Sequence, residues 1–321
     1  MPRMSLKERI SEGLFLLDGA MGTQLIARGV EVGKCSDYLN IESPDIIFEI
    51  HQAYFRAGSD AVLTNTFGAN KYALARHGLS DKVREINTAA VKIALRAADL
   101  VLRSESLLRR VAKEKYVLGD VGPSGDFLQP LGNLEPEELK DAFAEQAEAL
   151  LAGGVDGFII ETETSLDEAT IAVEAVKSVN RDLPVFVSFA FDRVAGDFKT
   201  MMGVDVESAV AKMVSLDVDA VGFNCGTVSL DEYIELARKF ISTVKTLDKV
   251  VRQAHHPEKV LVFAEPNAGK PELVDGRTVY KVTPEDFAAA AEKIYSAGVN
   301  IIGGCCGTGP EHIEAVYEKM R

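Results

Sequence analysis

Eight short apolar, β-branched runs, separated by segments of helical period and recurring about every 40 residues, predict a (β/α)8 barrel, the TIM-barrel architecture. The runs lack the apolar–polar alternation of a half-exposed strand, which suits strands covered on both faces of a parallel sheet. The first is Leu14–Asp18 (LFLLD), followed by a helix over Asp45–Ala57 (DIIFEIHQAYFRA) that sets Ile46, Ile50, Ala53 and Ala57 on one side. Ala61–Thr66 (AVLTNT) and Tyr116–Val121 (YVLGDV) give the second and third strands. A helix over Glu137–Ala152, rich in Ala, Leu and Glu and followed by Gly at its C-cap, leads to a fourth strand at Gly157–Thr162 (GFIIET). The helix Leu166–Val179 leads to Val185–Phe191 (VFVSFAF), and Ala220–Cys225 (AVGFNC), Val260–Glu265 (VLVFAE) and Asn300–Cys305 (NIIGGC) complete the set. Before the last strand, Thr283-Pro284-Glu285-Asp286 carries an N-cap, a first-turn Pro and an acidic first turn. Strands alternating with helices imply right-handed βαβ units. An open doubly wound sheet of two halves is the alternative. No Pro/Ser-rich linker or composition break divides the chain, so residues 1–321 are expected to form one domain. The charged stretches Arg103–Lys115 and Lys249–Lys259 are read as solvated helix ends or inserts.

Composition narrows the class. The 321 residues carry 49 acidic and 35 basic side chains, a formal net charge of −14, which argues against non-specific binding to nucleic acid or anionic lipid. No apolar run reaches the roughly 18–20 residues that span a bilayer. The opening MPRMSLKERISEG has no apolar core and no cleavage site of a secretory signal, so a cytoplasmic location is expected. In that compartment the four cysteines are read as thiols or metal ligands rather than a disulfide framework.

Barrels place their chemistry at the C-terminal ends of the strands. The first strand ends in Asp18-Gly19-Ala20-Met21-Gly22, where the glycines permit close approach of a ligand to the backbone; Asp18 otherwise serves as a helix cap. Asp18, Asp120 and Glu161 would crowd one mouth with negative charge, and a metal or a substrate ammonium would offset the repulsion. Cysteine placement is more telling. Cys225 closes the sixth strand, and Cys305 and Cys306 close the eighth, so three of the four cysteines fall on the same face. Neighbouring residues of a strand point to opposite faces, but the glycines around Cys305 and Cys306 let the backbone leave β geometry so that both thiols converge. The sixth and eighth strands stand roughly 10 Å apart at the usual ~4.8 Å spacing, a gap that side chains bridge. Three thiolates with an open fourth position describe a catalytic zinc site. Asn267, at the end of the seventh strand, either offers its amide oxygen to that position in the absence of substrate or shapes the loop. Cys35 lies away from any strand end and is expected not to be a ligand. His255 and His256 precede the seventh strand, on the far side of the barrel, and are not expected to bind zinc.

The stretches LLDGAMGTQL (Leu16–Leu25), LTNTFGAN (Leu63–Asn70), GDVGPSG (Gly119–Gly125), IIETETS (Ile159–Ser165), GFNCG (Gly222–Gly226), EPNAGKP (Glu265–Pro271) and GGCCGT (Gly303–Thr308) follow one another in this chain. In this the sequence resembles the homocysteine S-methyltransferase family, and within it the homocysteine-binding module of cobalamin-dependent methionine synthases. The resemblance spans nearly the whole chain, and GGCCGT after a distant NCG is its most specific part. It implies a (β/α)8 barrel, Zn2+ held by Cys225, Cys305 and Cys306, and Asn267 as the fourth ligand before homocysteine arrives. It also implies that Asp18 and Glu161 hold the substrate ammonium, with backbone amides around Gly19, Ala20 and Thr64 taking its carboxylate. The expected activity is zinc-dependent methyl transfer to homocysteine, giving methionine. Methylcobalamin carried by a separate cobalamin-binding module, working beside a folate-binding one, is the expected donor, because EPNAGKP and GGCCGT are so similar to methionine synthase. The chain stops at Arg321 without either segment, as an excised fragment, a protein with separate partners or a user of a small donor would. A small donor such as S-methylmethionine or betaine is the alternative within the class. A zinc-dependent homocysteine-binding module inactive without its partner is the alternative outside it.

Overall fold

A computed structural model describes residues 3–107, 114–251, 260–274 and 277–321. His255, His256, most of the stretch Lys249–Lys259 and part of Arg103–Lys115 lie outside the described residues. The main sheet holds eight parallel strands: β1 (Phe15–Leu16), β2 (Ala61–Leu63), β3 (Tyr116–Val121), β4 (Gly157–Glu163), β5 (Val185–Phe189), β6 (Ala220–Asn224), β7 (Leu261–Glu265) and β8 (Ile301–Ile302). They are ordered β1-β8-β7-β6-β5-β4-β3-β2, each hydrogen-bonded to the next. The seam between β1 and β2 is joined differently. Asp60 donates its amide to the Leu16 carbonyl at 2.7 Å and accepts the Leu16 amide on its carboxylate at 2.8 Å. Beyond them the Leu63 amide donates to Asp18 Oδ2 at 3.1 Å. With that seam bridged the sheet curls into a nearly closed barrel, as the strand count predicts, and the open doubly wound alternative is set aside.

Every strand is buried on both faces, and alternation sorts its side chains into two cores. Phe15, Leu17, Ala61, Tyr116, Leu118, Ile159, Phe186, Ala220, Phe263 and Ile301 fill the barrel, closed below by Leu6 and Ile10 of the short helix Leu6–Ser11. The other parity, including Val62, Val117, Phe158, Val185, Val221 and Val262, packs against the surrounding helices. Two steps along the inward parity from Leu118, Ile159 and Phe263 stand Asp120, Glu161 and Glu265, and four steps from Ala220 stands Asn224. Period two therefore delivers a polar ring to the C-terminal mouth.

The details depart from the sequence reading at several places. The helix read over Asp45–Ala57 runs Pro44–Ala57 and buries Ile47, Ile50, His51, Tyr54, Phe55 and Ala57, while Ile46 and Ala53 are only half-buried. The apolar stripe is turned by about one residue because two large aromatics, Tyr54 and Phe55, take the core side. Antiparallel hairpins follow β5 (Asp192–Val194 with Asp197–Lys199) and β7 (Glu272–Val274 with Arg277–Val279). Thr283 caps the helix Pro284–Ser296 by accepting the Asp286 amide, as its sequence indicates.

His51 is fully buried, and neither ring nitrogen has a partner. Burial pushes its pKa down to about 3. The unfolded chain then binds the proton more readily, so the contribution is complete above pH 6.5 and is lost as pH falls towards 3. Between pH 7 and 4.5 this one group is expected to remove about 3 kcal/mol of stability. Urea unfolding of His51→Leu should show a shallower acid loss by that amount; an unchanged pH slope would contradict it.

Candidate metal centre and substrate cavity

β6 ends at Asn224, and the next two residues, Cys225 (φ +51°) and Gly226 (φ +76°), take left-handed backbone. A Cβ on Gly226 would stand 2.2 Å from the Phe191 carbonyl oxygen, so only glycine lets the chain turn here. The turn is tied down by Tyr233, whose hydroxyl donates to the Cys225 carbonyl and accepts the Asn267 amide at 3.3 Å. After β8 the backbone threads between its neighbours. Gly304 donates to the Asp18 carbonyl and Cys305 to the Pro266 carbonyl, each at 2.9 Å, and Thr308 folds back to donate its amide to Cys305 at 3.0 Å. A side chain on Gly304 would meet Thr308 Oγ1 at 2.5 Å. These constraints carry Cys305 and Cys306 off β geometry and place both against Cys225.

The three sulfurs lie within 4.8 Å of one another. Cys225 Sγ is 3.7 Å from Cys306 Sγ and 3.4 Å from Cys305 Sγ. Sulfurs about 2.3 Å from one tetrahedral ion stand roughly 3.8 Å apart, so the donor set fits zinc in both chemistry and spacing. Cys306 is the thiol that ionises first: hydrogen bonds from Cys225 and Cys305, and a further one from Tyr280, pull it down to about 3. Cys225 is pushed up to about 12: the bond with Cys305 opposes the rise, but the bond to Cys306, burial and the Cys306 charge outweigh it. Three neighbouring thiolates need a cation. Asn267 donates Nδ2 to the Gly226 carbonyl at 2.9 Å, which fixes the amide's orientation and leaves its buried Oδ1 with no partner.

Beside the sulfurs a cavity of about 320 Å³ is lined by Asp18, Gly19, Ala20, Thr64, Glu161, Cys225, Cys305 and Cys306, together with Asp120 and Glu265. Burial, more than any neighbour, raises all four carboxyl groups. It acts on Asp18 against the Leu63 hydrogen bond, and on Asp120 and Glu265 with the added charge of Glu161. Glu161 is pushed up to about 7 by burial and then by the charge of Cys306, against a hydrogen bond from Asp120. Glu265 Oε2 and Asp120 Oδ1 are buried without partners. Four carboxyl groups that cannot all ionise together form a receptor for a cation.

The structure brings together the three cysteines, Asp18, Gly19, Ala20, Thr64 and Glu161, as the sequence placed them. Asp18 does not cap the helix Met21–Ala27, which has Ala20 at its N-cap; its carboxylate takes the Leu63 amide instead. The amides of Ala20 and Thr64 both have protein partners here. The Thr64 amide continues the barrel ladder to Leu118 O at 2.9 Å, and the Ala20 amide donates to Thr308 Oγ1 at 3.2 Å. Asn267 stands behind the Cys225 turn rather than among the cavity-lining residues. Cys35 is not part of the cluster, and its sulfur is 3.9 Å from Asp37 Oδ2. Sequence reasoning missed Glu265, Asn224, Tyr233 and Tyr280. Inward parity flags the first two, whereas nothing local marks the tyrosines.

Residues 15–320 match the family profile described as homocysteine S-methyltransferase. The chain is 33% identical over 97% of its length to a methionine synthase of Mycobacterium leprae, and likewise to one of Mycobacterium tuberculosis. It spans about a quarter of the length of these curated relatives (24% and 25%). The metallated form of the homocysteine methyltransferase MmuM from Escherichia coli superimposes with a TM-score of 0.75 at 24% identity, covering 96% of each chain. Its oxidised form gives 0.73 at 23% identity, covering 95% of this chain and 96% of that one. These two likenesses concern the fold.

Proposed function

The chain belongs to the homocysteine S-methyltransferase family, and on that premise we propose that it transfers a methyl group to the sulfur of homocysteine, giving methionine. The observation that carries this is a trithiol cluster in the wall of an acidic cavity large enough to admit an amino acid. Cys225, Cys305 and Cys306 would hold the zinc ion, with Asn267 Oδ1 as fourth donor in the absence of substrate. An ion held there would supply a Lewis acid to keep an incoming thiol deprotonated and fixed, whereas a free thiol of pKa about 8.5 is only a few per cent thiolate at neutral pH. Asp18 and Glu161 pair with the substrate ammonium and so aim its thiol at the sulfur cluster. The carboxylate lies toward Gly19. Ala20 and Thr64, whose amides are committed elsewhere, shape that wall. A proton leaves to solvent when the thiol binds, so no general base is assigned.

For the donor, methylcobalamin carried on a separate module, charged in turn by a folate-binding one, is favoured by the rim of the barrel. Val32, Phe67, Phe127, Leu131, Met201 and Leu273 are exposed in the loops that leave five of the eight strands at the mouth. Exposed apolar groups around an active-site opening suit a macromolecular donor. A small donor, S-methylmethionine or betaine, is the second reading, supported by a cavity with room beside one amino acid. Among the described residues no helix is long and apolar enough to cross a membrane. A reduced cytoplasm suits a centre that works only with free thiols. The test is methionine formation by zinc-loaded protein with homocysteine and, in parallel, methylcobalamin, S-methylmethionine and betaine. Turnover with methylcobalamin alone supports the first reading. Turnover with a small donor supports the second, and turnover with none leaves a homocysteine-binding module that needs its partner.

A further inference from the structure

Asn224 closes β6, 1% exposed, and its single amide touches residues at the ends of three other strands, β4, β5 and β8. Oδ1 accepts from the Thr162 amide at 3.1 Å and from the Ser188 hydroxyl at 3.0 Å. Nδ2 donates to Thr162 Oγ1 at 2.7 Å and reaches Glu161 Oε2 at 3.4 Å and Cys305 Sγ at 3.8 Å. The Thr162 amide can only donate, so it must face Oδ1, and the NH2 group is thereby fixed toward the carboxylate and the sulfur.

The residue it grips is unusual. Thr162 has φ +65°, a left-handed conformation that a β-branched side chain rarely adopts. It sits where the pairing of β4 with β5 slips between Ile160 and Glu163. Such bulges re-aim side chains and persist only where their surroundings hold them. Asn224 grips this one through both ends of its amide, and the adjacent Glu161 takes its direction from the same turn.

We propose that Asn224 is a positioning residue that holds the carboxylate of Glu161 in register with the sulfur of Cys305. The distance between the ammonium subsite and the thiol subsite is then set by one rigid amide. That spacing selects a substrate whose amine and thiol are separated by three carbons. The inference rests on the proposed binding of homocysteine, with its ammonium at Glu161 and its sulfur at the cysteines.

The test is calorimetric titration of zinc-loaded wild type and Asn224→Ala with homocysteine and with 4-mercaptobutyrate, which has the same thiol and carboxylate but no amine. Wild type should prefer homocysteine. Asn224→Ala should bind homocysteine at least tenfold more weakly and 4-mercaptobutyrate within threefold of wild type, so the preference collapses while zinc content stays at one. Equal weakening of both ligands, or an undiminished preference, would overturn the assignment. If circular dichroism shows Asn224→Ala unfolded, Asn224→Ser, too short to reach Glu161, carries the same comparison. Wild type that binds neither thiol overturns the reading of the site itself, and the inference with it.

Discussion

Cys305→Ala is expected to remove bound zinc and methyl transfer together. Its sulfur stands between Cys225 Sγ, 3.4 Å away, and the Asn224 amide at 3.8 Å, so it is central to the cluster. Losing one of three thiolates leaves two sulfurs and an amide, and the affinity of tight zinc sites, on the order of 10–16 kcal/mol, depends on the full ligand set. The substrate thiol then reverts to its ordinary acidity and loses its fixed position, so the rate should fall by about a thousandfold or more. The barrel should survive, because Cys305 lies in the turn after β8, and the backbone bonds that shape that turn are made by main-chain atoms and by Thr308. Elemental analysis beside an assay of methionine formation checks this. Zinc-free protein with undiminished turnover would refute the site.

Glu161→Gln is expected to weaken homocysteine binding by about ten- to a hundredfold while zinc is retained, the usual size for loss of a charged hydrogen-bonded partner. Its carboxyl is held up to about 7, chiefly by burial. Ionisation, and with it pairing to an ammonium, therefore grows as pH rises from about 5.5 to 8. Homocysteine affinity of the wild type should climb through that window, and the Gln variant should lose that limb of the profile. Fold stability carries the opposite sign. A carboxyl whose native pKa is raised stabilises fully below its unfolded value of 4.5 and loses that contribution as pH passes 7. At pH 8 the variant should therefore be as stable as wild type or more so, even as it binds less well. Unaltered affinity would take Glu161 out of the substrate site.

Much of this arrangement is legible in the linear chain because each strand is short, doubly buried and followed by its chemistry. The runs at Tyr116–Val121 and Val185–Phe189 stand out because strands covered on both faces are almost wholly apolar, and their one polar side chain each, Asp120 and Ser188, comes next to last, toward the mouth. The cysteines stand out because small hydrophobes of the core have no reason to collect at the ends of two strands. What escapes is whatever depends on partners distant in sequence. Tyr233 and Tyr280 look like ordinary aromatics until folding sets their hydroxyls against the Cys225 carbonyl and the Cys306 sulfur. Thr162 gives no sign of its left-handed backbone, since the amide that holds it comes from Asn224, 62 residues on. Amides near a cavity look available to a ligand until the ladder between β2 and β3 claims the one on Thr64. Glu265 and Asn224 are within reach, because inward parity counted from Phe263 and Ala220 leads to Glu265 in the cavity wall and to Asn224 against Glu161 and Cys305.

The central claim is that three sulfurs from two strand ends hold one ion, which then takes the sulfur of the substrate. X-ray absorption at the zinc edge of reduced, reconstituted protein addresses it directly. The account predicts three sulfur neighbours and one nitrogen or oxygen before homocysteine is added, and four sulfur neighbours after. A spectrum unchanged by homocysteine, or a protein that never takes up one equivalent of zinc, would contradict it.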